Sequence, residues 1–244
     1  MRLHRFITIA AVSALFWTGV PPANAIDVTP MVQHITPSGA NSAYRLSVKN
    51  TDDQPVTVEI QAFIMEVDED GRRTLSEEVD DLAIFPPQSV IPPSREQVVQ
   101  VRYVGAPDAR PRMYLVRVGQ LPITFSSEED AASGAAVQVA FNVNTHVLLA
   151  PAGAKPALRV VATRTADNGD VLVTAENQGV GFASLREARY RLTAADGRVV
   201  EVRPEDVVLG QVSTLPGGAR RNIRIPAALA SGIGADVTAS IELS

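Results

Sequence analysis

The chain has 244 residues, with 22 lysines and arginines against 27 aspartates and glutamates, which gives a formal net charge of −5 at pH 7. An acidic protein of this kind is a poor match for nucleic acid, whose phosphates attract clustered arginine and lysine. The sequence contains no cysteine, so the fold must be stabilised by burial of apolar side chains without disulfides.

The first 25 residues have the pattern of a secretory signal peptide. Basic residues precede an apolar run at 6–20, and Ala-Asn-Ala at 23–25 forms a cleavage site of the A-x-A type. The apolar run is too short to cross a bilayer as a helix, and no later stretch is long enough either. The sequence therefore predicts cleavage after Ala25 and a mature chain with no integral membrane segment.

After residue 25 the sequence predicts an all-β protein. Short runs rich in valine and isoleucine are separated by Gly, Pro, Asn and Asp, and no long apolar stripe has the helical period. The predicted strands are 43–50, 56–67, 97–104, 113–121 and 137–149, followed by a second series at 158–165, 170–177, 188–194, 198–204, 221–226 and 235–243.

The segment APAGAKPA at 150–157 separates these two series of strands. It contains two prolines and a glycine and has no strand pattern, as is typical of a linker between domains. Each series is long enough for one domain of immunoglobulin size, about 100 residues. The sequence thus predicts two tandem β-sandwich domains, at 26–152 and 153–244.

The residues needed for catalysis or for metal binding are scarce. The mature chain has two histidines, His34 and His146, and it lacks a zinc-ligand spacing, a phosphate-binding glycine loop and a G-x-S-x-G motif. Its neighbouring acidic residues lack the spacing of a calcium loop. We therefore expect no enzymatic activity, no metal and no cofactor.

Two alternatives of a different class stay open at this point. A secreted hydrolase with a dispersed site is the weaker one, because so few histidines are available as acid or base. A secreted two-domain adhesive or carbohydrate-binding module is the stronger one. Sugar-binding sites usually carry exposed aromatic side chains, however, and the only tryptophan, Trp17, lies in the signal peptide.

The stretch AAVQVAFNVNTHVLLAP at 135–151 alternates apolar and polar residues. Val137, Val139, Phe141 and Val143 would form an apolar ridge on one side of a strand. Alternation alone favours an ordinary edge strand whose ridge faces its own sandwich core. The other reading is a ridge that is offered to a partner.

Several segments, in order, resemble the periplasmic pilus assembly chaperones of the chaperone–usher pathway. FPPQSVIPPSREQVVQVRYV at 85–104, RPRMYLVRVGQLPI at 110–123 and the alternating stretch at 137–149 match the family's double proline, its V-x-V-R strand and its strand ending in a hydrophobic-Pro pair. VTPMVQHITPSG at 28–39, followed by YRLSVKNTDDQPVTVEIQAF, is similar to the family's first strands. The resemblance is specific over 26–151 and looser over 157–244.

This resemblance implies two immunoglobulin-like sandwiches at an angle, with a binding cleft between them. It also implies that the last strand of the first domain completes an unfinished pilin by donor-strand complementation. The residues that would enter the pilin groove are Val137, Val139, Phe141 and Val143, with Val143 at the margin of the set.

The resemblance further implies a location in the periplasm and two partners, pilin subunits and an outer-membrane usher. It implies no cofactor, no nucleic acid and no enzymatic step. It leaves open whether the free chaperone caps its exposed strand by forming a dimer.

The family also implies a basic clamp for the terminal carboxylate of the subunit, and here the sequence departs from the pattern. His146 stands where a lysine is expected, and Val32 or a neighbour stands where an arginine is expected. Neutral imidazole is a weak partner for a carboxylate. Arg117, on the strand predicted to pair with the donor strand, is the first substitute and Arg102 the second. These departures indicate a divergent branch of the family, of the archaic type.

Overall fold

The computed structural model describes residues 26–107, 110–121, 141–231, 233–234 and 236–243. The predicted signal peptide lies outside the described residues, as do Val137 and Val139. The strands of the first half are β1 (Ile26–Thr29), β2 (Val32–Ile35), β3 (Ala43–Asn50), β4 (Val56–Val67), β5 (Arg73–Glu78), β6 (Leu82–Phe85), β7 (Gln88–Ile91), β8 (Glu96–Tyr103), β9 (Arg112–Leu121) and β10 (Asn142–Leu149). Those of the second half are β11 (Leu158–Thr165), β12 (Val171–Asn177), β13 (Ala183–Ser184), β14 (Ala188–Ala194), β15 (Val199–Val202), β16 (Thr214–Leu215), β17 (Arg220–Ile225) and β18 (Val237–Leu243).

The prediction of an all-β protein with two sandwiches is confirmed. The first domain packs a sheet of order β1-β3-β8-β6 against a sheet of order β2-β10-β9-β4-β5, and β7 also pairs with β4. Alternation on β3 and β8 buries Leu46, Val48, Val99 and Val101 between the two sheets and turns their polar neighbours toward solvent.

Strand β9 is covered on both of its faces. It lies between β10 and β4, and its residues 113–116 are buried consecutively. Tyr114 belongs to the core of the first sandwich, whereas Leu115 belongs to a separate apolar cluster that includes Phe182 and Val212 of the second domain. The unbroken apolar run on this strand follows from burial on two sides.

The beginning of the chain changes sheets at Pro30. Strand β1 pairs with β3 in one sheet, while β2 pairs in parallel with β10 in the other. Proline has no backbone N–H, so it cannot continue a hydrogen-bonded ladder. As a result, β2 is short and pairs with residues 146–149 of β10 only.

The second domain is built from smaller sheets around its own core. These sheets have the orders β11-β12-β17, β13-β16 and β15-β14-β18. Their buried residues form a cluster that includes Val173, Leu192 and Ile223. The connecting segment between Leu149 and Leu158 contains the domain boundary predicted at 152/153.

Each domain carries a fully buried asparagine at the end of a strand. Asn50 ends β3, and its Nδ2 donates to the carbonyl oxygens of Gln54 and Ile91. Asn177 ends β12, and its Nδ2 donates to the carbonyl oxygens of Gly181 and Leu215. In both places an amide side chain satisfies the backbone of a loop that has left the sheet.

Replacing Asn177 by alanine should destabilise the protein strongly. The substitution removes the two donations above, and it also removes the Oδ1 acceptor of the Ala157 and Gly179 N–H groups. Leaving these groups without partners should lower the free energy of unfolding by about 3 kcal/mol. The measurement is urea unfolding followed by circular dichroism. Gln178→Ala, at the exposed neighbouring position, serves as the control and should change the stability by about 0.5 kcal/mol or less.

Candidate functional site

Strand β10 is hydrogen-bonded on one side along its whole length and on the other side along half of it. Its pairing with β9 runs from residue 142 to 149. On the opposite side β2 pairs with 146–149, and no strand of the described residues pairs with 142–145. The first half of β10 is therefore an open sheet edge within the part of the chain that the structure describes.

The backbone groups at this edge point outward in a regular pattern. The N–H of His146 donates to the carbonyl oxygen of Met31 beside β2, and the carbonyl oxygen of Phe141 accepts from the N–H of Gln120 in β9. Because such groups alternate along a strand, the N–H and C=O groups of Asn142 and Asn144 point to the same side as those of His146. They face the open edge and are suited to pairing with another strand.

The described part of the predicted ridge is only partly covered by the first domain. Phe141 is 41% exposed, which is unusual for a large aromatic side chain. Val143 is half-buried and packs against the core of its own sandwich. Further along the same face, Thr145 and Val147 are buried in that core. The side chains on this face thus become more exposed from Val147 toward Phe141.

The other face of β10 looks toward the second domain. Its Leu148 joins Met65 and Met113 in an apolar cluster with Phe182 and Val212 of the second domain. Beside this cluster lies a cavity of about 520 Å³. The residues that line it are Val32, Met65, Arg73, Met113, His146, Leu148, Gln211, Val212, Ser213 and Thr214.

The electrostatics of this interdomain cavity are set by Arg73 and His146. Arg73 is the one permanent cation among the lining residues, which include no aspartate or glutamate. Burial lowers the pKa of His146 below its ordinary value of 6.5, and the positive charge of Arg73 lowers it further. The imidazole is therefore neutral at neutral pH, and Arg73 supplies the charge.

Arg117 lies on the same face of the sheet as His146. It is opposite Asn144 in the register of β9 and β10, next to the pair of Leu115 and His146. Its Nε donates to Asn144 Oδ1 at 3.3 Å, and its guanidinium lies 4.8 Å from the centre of the Phe63 ring. These contacts hold Arg117 flat against the sheet, next to Asn144 of the open half of β10.

The structure brings together two of the three residues considered for the clamp. Arg102 lies on the exposed face of the other sheet, opposite Ala43 and Ala83, and is separated from His146 and Arg117 by the sandwich core. Arg73 was not predicted. It follows the turn DEDG at 68–71, and the sequence does not show that the hairpin of β4 and β5 points toward the second domain.

The described residues hold no group of three or more His, Cys, Asp or Glu side chains placed to bind a metal ion. In the same residues, no helix has the length and apolar character needed to cross a bilayer.

The chain matches the family model of pili and flagellar-assembly chaperones, PapD N-terminal domain, over residues 28–155. This span is more than half of the chain and contains nearly all of the first domain. A search of curated proteins gave no match.

Solved structures of chaperones share the fold of the chain. The class 5 fimbriae chaperone CfaA has a TM-score of 0.59 at 9% identity, covering 90% of this chain and 93% of that one. The E. coli chaperone DraB has a TM-score of 0.52 at 16% identity, covering 84% and 88%. The complex of the Salmonella enterica SafA pilin with the SafB chaperone gives 0.53 at 14% identity, covering 84% and 85%.

The stability of the protein should depend on the protonation of His146. Because its pKa is lowered in the folded state, the unfolded chain takes up this proton at a higher pH. Stability is fully present above the ordinary pKa of 6.5 and is lost as the pH falls from there through the lower folded value. The His146→Gln variant should lose less stability than the wild type between about pH 7.5 and pH 5. Urea unfolding at several pH values measures this, and identical pH profiles would contradict the assignment.

Proposed function

Because the chain belongs to the family of pili and flagellar-assembly chaperones, we propose that it binds an incomplete pilus subunit through the open edge of β10. The observation that carries the proposal is the half-strand 142–145 beside the exposed Phe141, since no strand of the described residues pairs with it on the side away from β9. Edge backbone groups of this kind add a strand to a partner's sheet, and alternate side chains fill its groove. An adhesive or carbohydrate-binding role is not favoured by the family match.

The side chains proposed to fill the groove of the subunit are those of the ridge that the sandwich core does not bury. Phe141 is the described residue best placed to enter a subunit, and Val137 and Val139 continue its alternation toward the N-terminus. Val143 contributes less, because its side chain already packs on its own core. Full burial of one large apolar side chain is worth about 1.5–3 kcal/mol, so three of them offer a substantial driving force before the costs of association.

The interdomain cavity is proposed to take the terminal carboxylate of the subunit. Arg73 gives the permanent positive charge that a carboxylate needs, and His146 lies beside it as a neutral donor. Arg117 is opposite Asn144 of the open half-strand, one residue pair further along the same face than His146. Arg73 thus takes over the role for which the sequence suggested Arg117 first.

The cellular setting completes the proposal. The predicted signal peptide directs the chain to the periplasm, and the captured subunit passes from there to an outer-membrane usher. Delivery needs no nucleotide, because the subunit finishes its own fold when a neighbouring subunit's strand replaces β10. The proposal is consistent with the related fold of SafB, which is in complex with the pilin SafA.

Replacing Phe141 by aspartate should abolish subunit capture. A carboxylate in an apolar groove loses the burial energy of the ring and adds a desolvation cost, so binding should weaken by at least about 100-fold. The measurement is co-purification of candidate pilins from the same genome, expressed together with the chaperone. Val199→Asp, at a valine of the second domain that is 52% exposed, is the matched control. Equal recovery of pilin with both variants would overturn the donor-strand proposal.

Replacing Arg73 by methionine tests the carboxylate site. Losing one charge-assisted contact should raise the Kd for the pilin about tenfold. The matched control is Arg102→Met, which removes an exposed arginine from the opposite side of the first domain and should leave the Kd unchanged.

A pilin with a short Gly-Ser extension at its C-terminus makes the Arg73 test specific. The extension moves the carboxylate, so Arg73→Met should have no further effect on that pilin if the two groups are in contact. A tenfold effect of the arginine variant on both pilins would show that Arg73 acts on something other than the carboxylate.

A further inference from the structure

The turn between β4 and β5 is hydrogen-bonded to the second domain. The carbonyl oxygen of Gly71 accepts from the N–H groups of Gln211 and Val212, at 2.9 and 3.2 Å. The N–H of Asn222 donates to the carbonyl oxygen of Glu69 at 2.6 Å. These are backbone contacts across a domain boundary, so they depend on the path of the chain more than on side-chain identity.

Glycine occurs on both sides of this contact, and both glycines are required there. Gly71 and Gly210 have φ angles of +77° and +79°, a region that favours glycine. A methyl group on Gly71 would overlap the carbonyl oxygen of Leu209, and one on Gly210 would lie 2.8 Å from the Gly71 Cα and overlap the carbonyl oxygen of Asp70. The two backbones therefore touch as closely as they do only because neither residue has a side chain.

Arg221 supports the second-domain side of this contact. It is 1% exposed, and it takes part in none of the ion pairs found among the described residues. Its guanidinium donates to the carbonyl oxygens of Leu209, Val212 and Thr214. A buried cation that binds three carbonyl groups of one loop fixes the shape of that loop.

The same contact determines where Arg73 lies. Arg73 begins β5, two residues after Gly71, and its backbone N–H donates to Gln211 Oε1 at 3.2 Å. Arg73 reaches the interdomain cavity from this position and stands near His146 on β10.

We propose that Gly71, Gly210 and Arg221 form an interdomain lock, which fixes the angle between the domains and positions Arg73 in the cavity. Arg221 is thus a positioning residue that acts through the loop 209–214. The value of this arrangement for subunit capture rests on the function proposed above. The lock itself is a property of the chaperone alone and is tested without a subunit.

The first test compares three glycine-to-alanine variants of the full chaperone. Gly71→Ala and Gly210→Ala should separate the two backbones from opposite sides of the lock. Gly197→Ala is the matched control, because Gly197 has a φ of +85° and nothing within 4 Å of an added methyl group. All three variants place an alanine in the left-handed region of φ. Only Gly71→Ala and Gly210→Ala also bring its methyl group into collision with the opposite backbone.

The readout is the pKa of His146, measured by NMR titration of its ring protons. Arg73→Met gives the rise in pKa expected from loss of the arginine charge alone. The two lock variants should raise the pKa of His146 in the same direction, because Arg73 moves away from the ring. The control variant should leave the pKa unchanged. A purely structural defect inside one domain would not move this value.

The second readout is the distance between the domains. The chain has no cysteine, so Lys49→Cys and Glu242→Cys, at exposed positions in the first and second domain, place two spin labels specifically. The lock variants should broaden or shift the distance distribution, and the control should not. If a lock variant does not fold, two substitutions of exposed side chains weaken the same contact. Gln211→Ala removes the Oε1 acceptor of the Arg73 N–H, and Asn222→Ala removes the Nδ2 group that donates to Asp70 Oδ1 at 3.1 Å.

Unchanged pKa and unchanged distances in folded lock variants would overturn the lock. Capture of a pilin separates this result from the function proposed above. If Phe141→Asp abolishes capture while the lock variants change nothing, the function holds and the lock fails. If the lock variants shift the pKa and the distances while Phe141→Asp captures pilin normally, the lock holds and the donor-strand function fails.

Discussion

The unequal pairing of β10 is the constraint on which the rest of this protein depends. Strand β9 pairs with all eight residues of β10. Strand β2 pairs with only the last four of them, because the chain changes sheets at Pro30. The second half of β10 is therefore fixed in the core, and the first half keeps one set of backbone groups unpaired within the described structure. A longer β2 would satisfy that edge and leave nothing to offer to a partner.

The two faces of β10 separate two tasks. Thr145 and Val147 hold the strand in the sandwich, and the same face continues outward to Phe141. The opposite face carries His146 and Leu148 into the cleft between the domains. Because side chains alternate along a strand, a subunit strand that pairs with the open edge would also lie beside the interdomain cavity. Apolar affinity and charge recognition are thereby placed within a few residues of each other.

The second domain gives the cleft its remaining wall and fixes the position of Arg73, which is the charge of the cleft. It contributes apolar contacts through Phe182 and Val212, and its loop at 209–212 holds the hairpin that carries Arg73. A charged residue near the turn of a hairpin is useful for binding only if the hairpin is fixed. The contact between Gly71 and Gly210 and the buried Arg221 supply this rigidity. The contact is made by the backbone and tolerates no added side chain on either glycine.

The sequence by itself determined most of the longer strands, because alternation and turn residues act locally, but β5, β6 and β7 were not among the predicted strands. The predicted bounds of 43–50, 56–67 and 158–165 agree with those of β3, β4 and β11, and the family resemblance agreed with the family match. Only the tertiary structure decided which charges lie close together. Arg102 and Arg117 have similar strand contexts, yet they lie on different sheets, and Arg73 enters the cleft from the first position of β5. Strand periods report which side of a strand a residue occupies, but the neighbours of that side depend on strand order and on the angle between domains, which arise from contacts far apart in the chain.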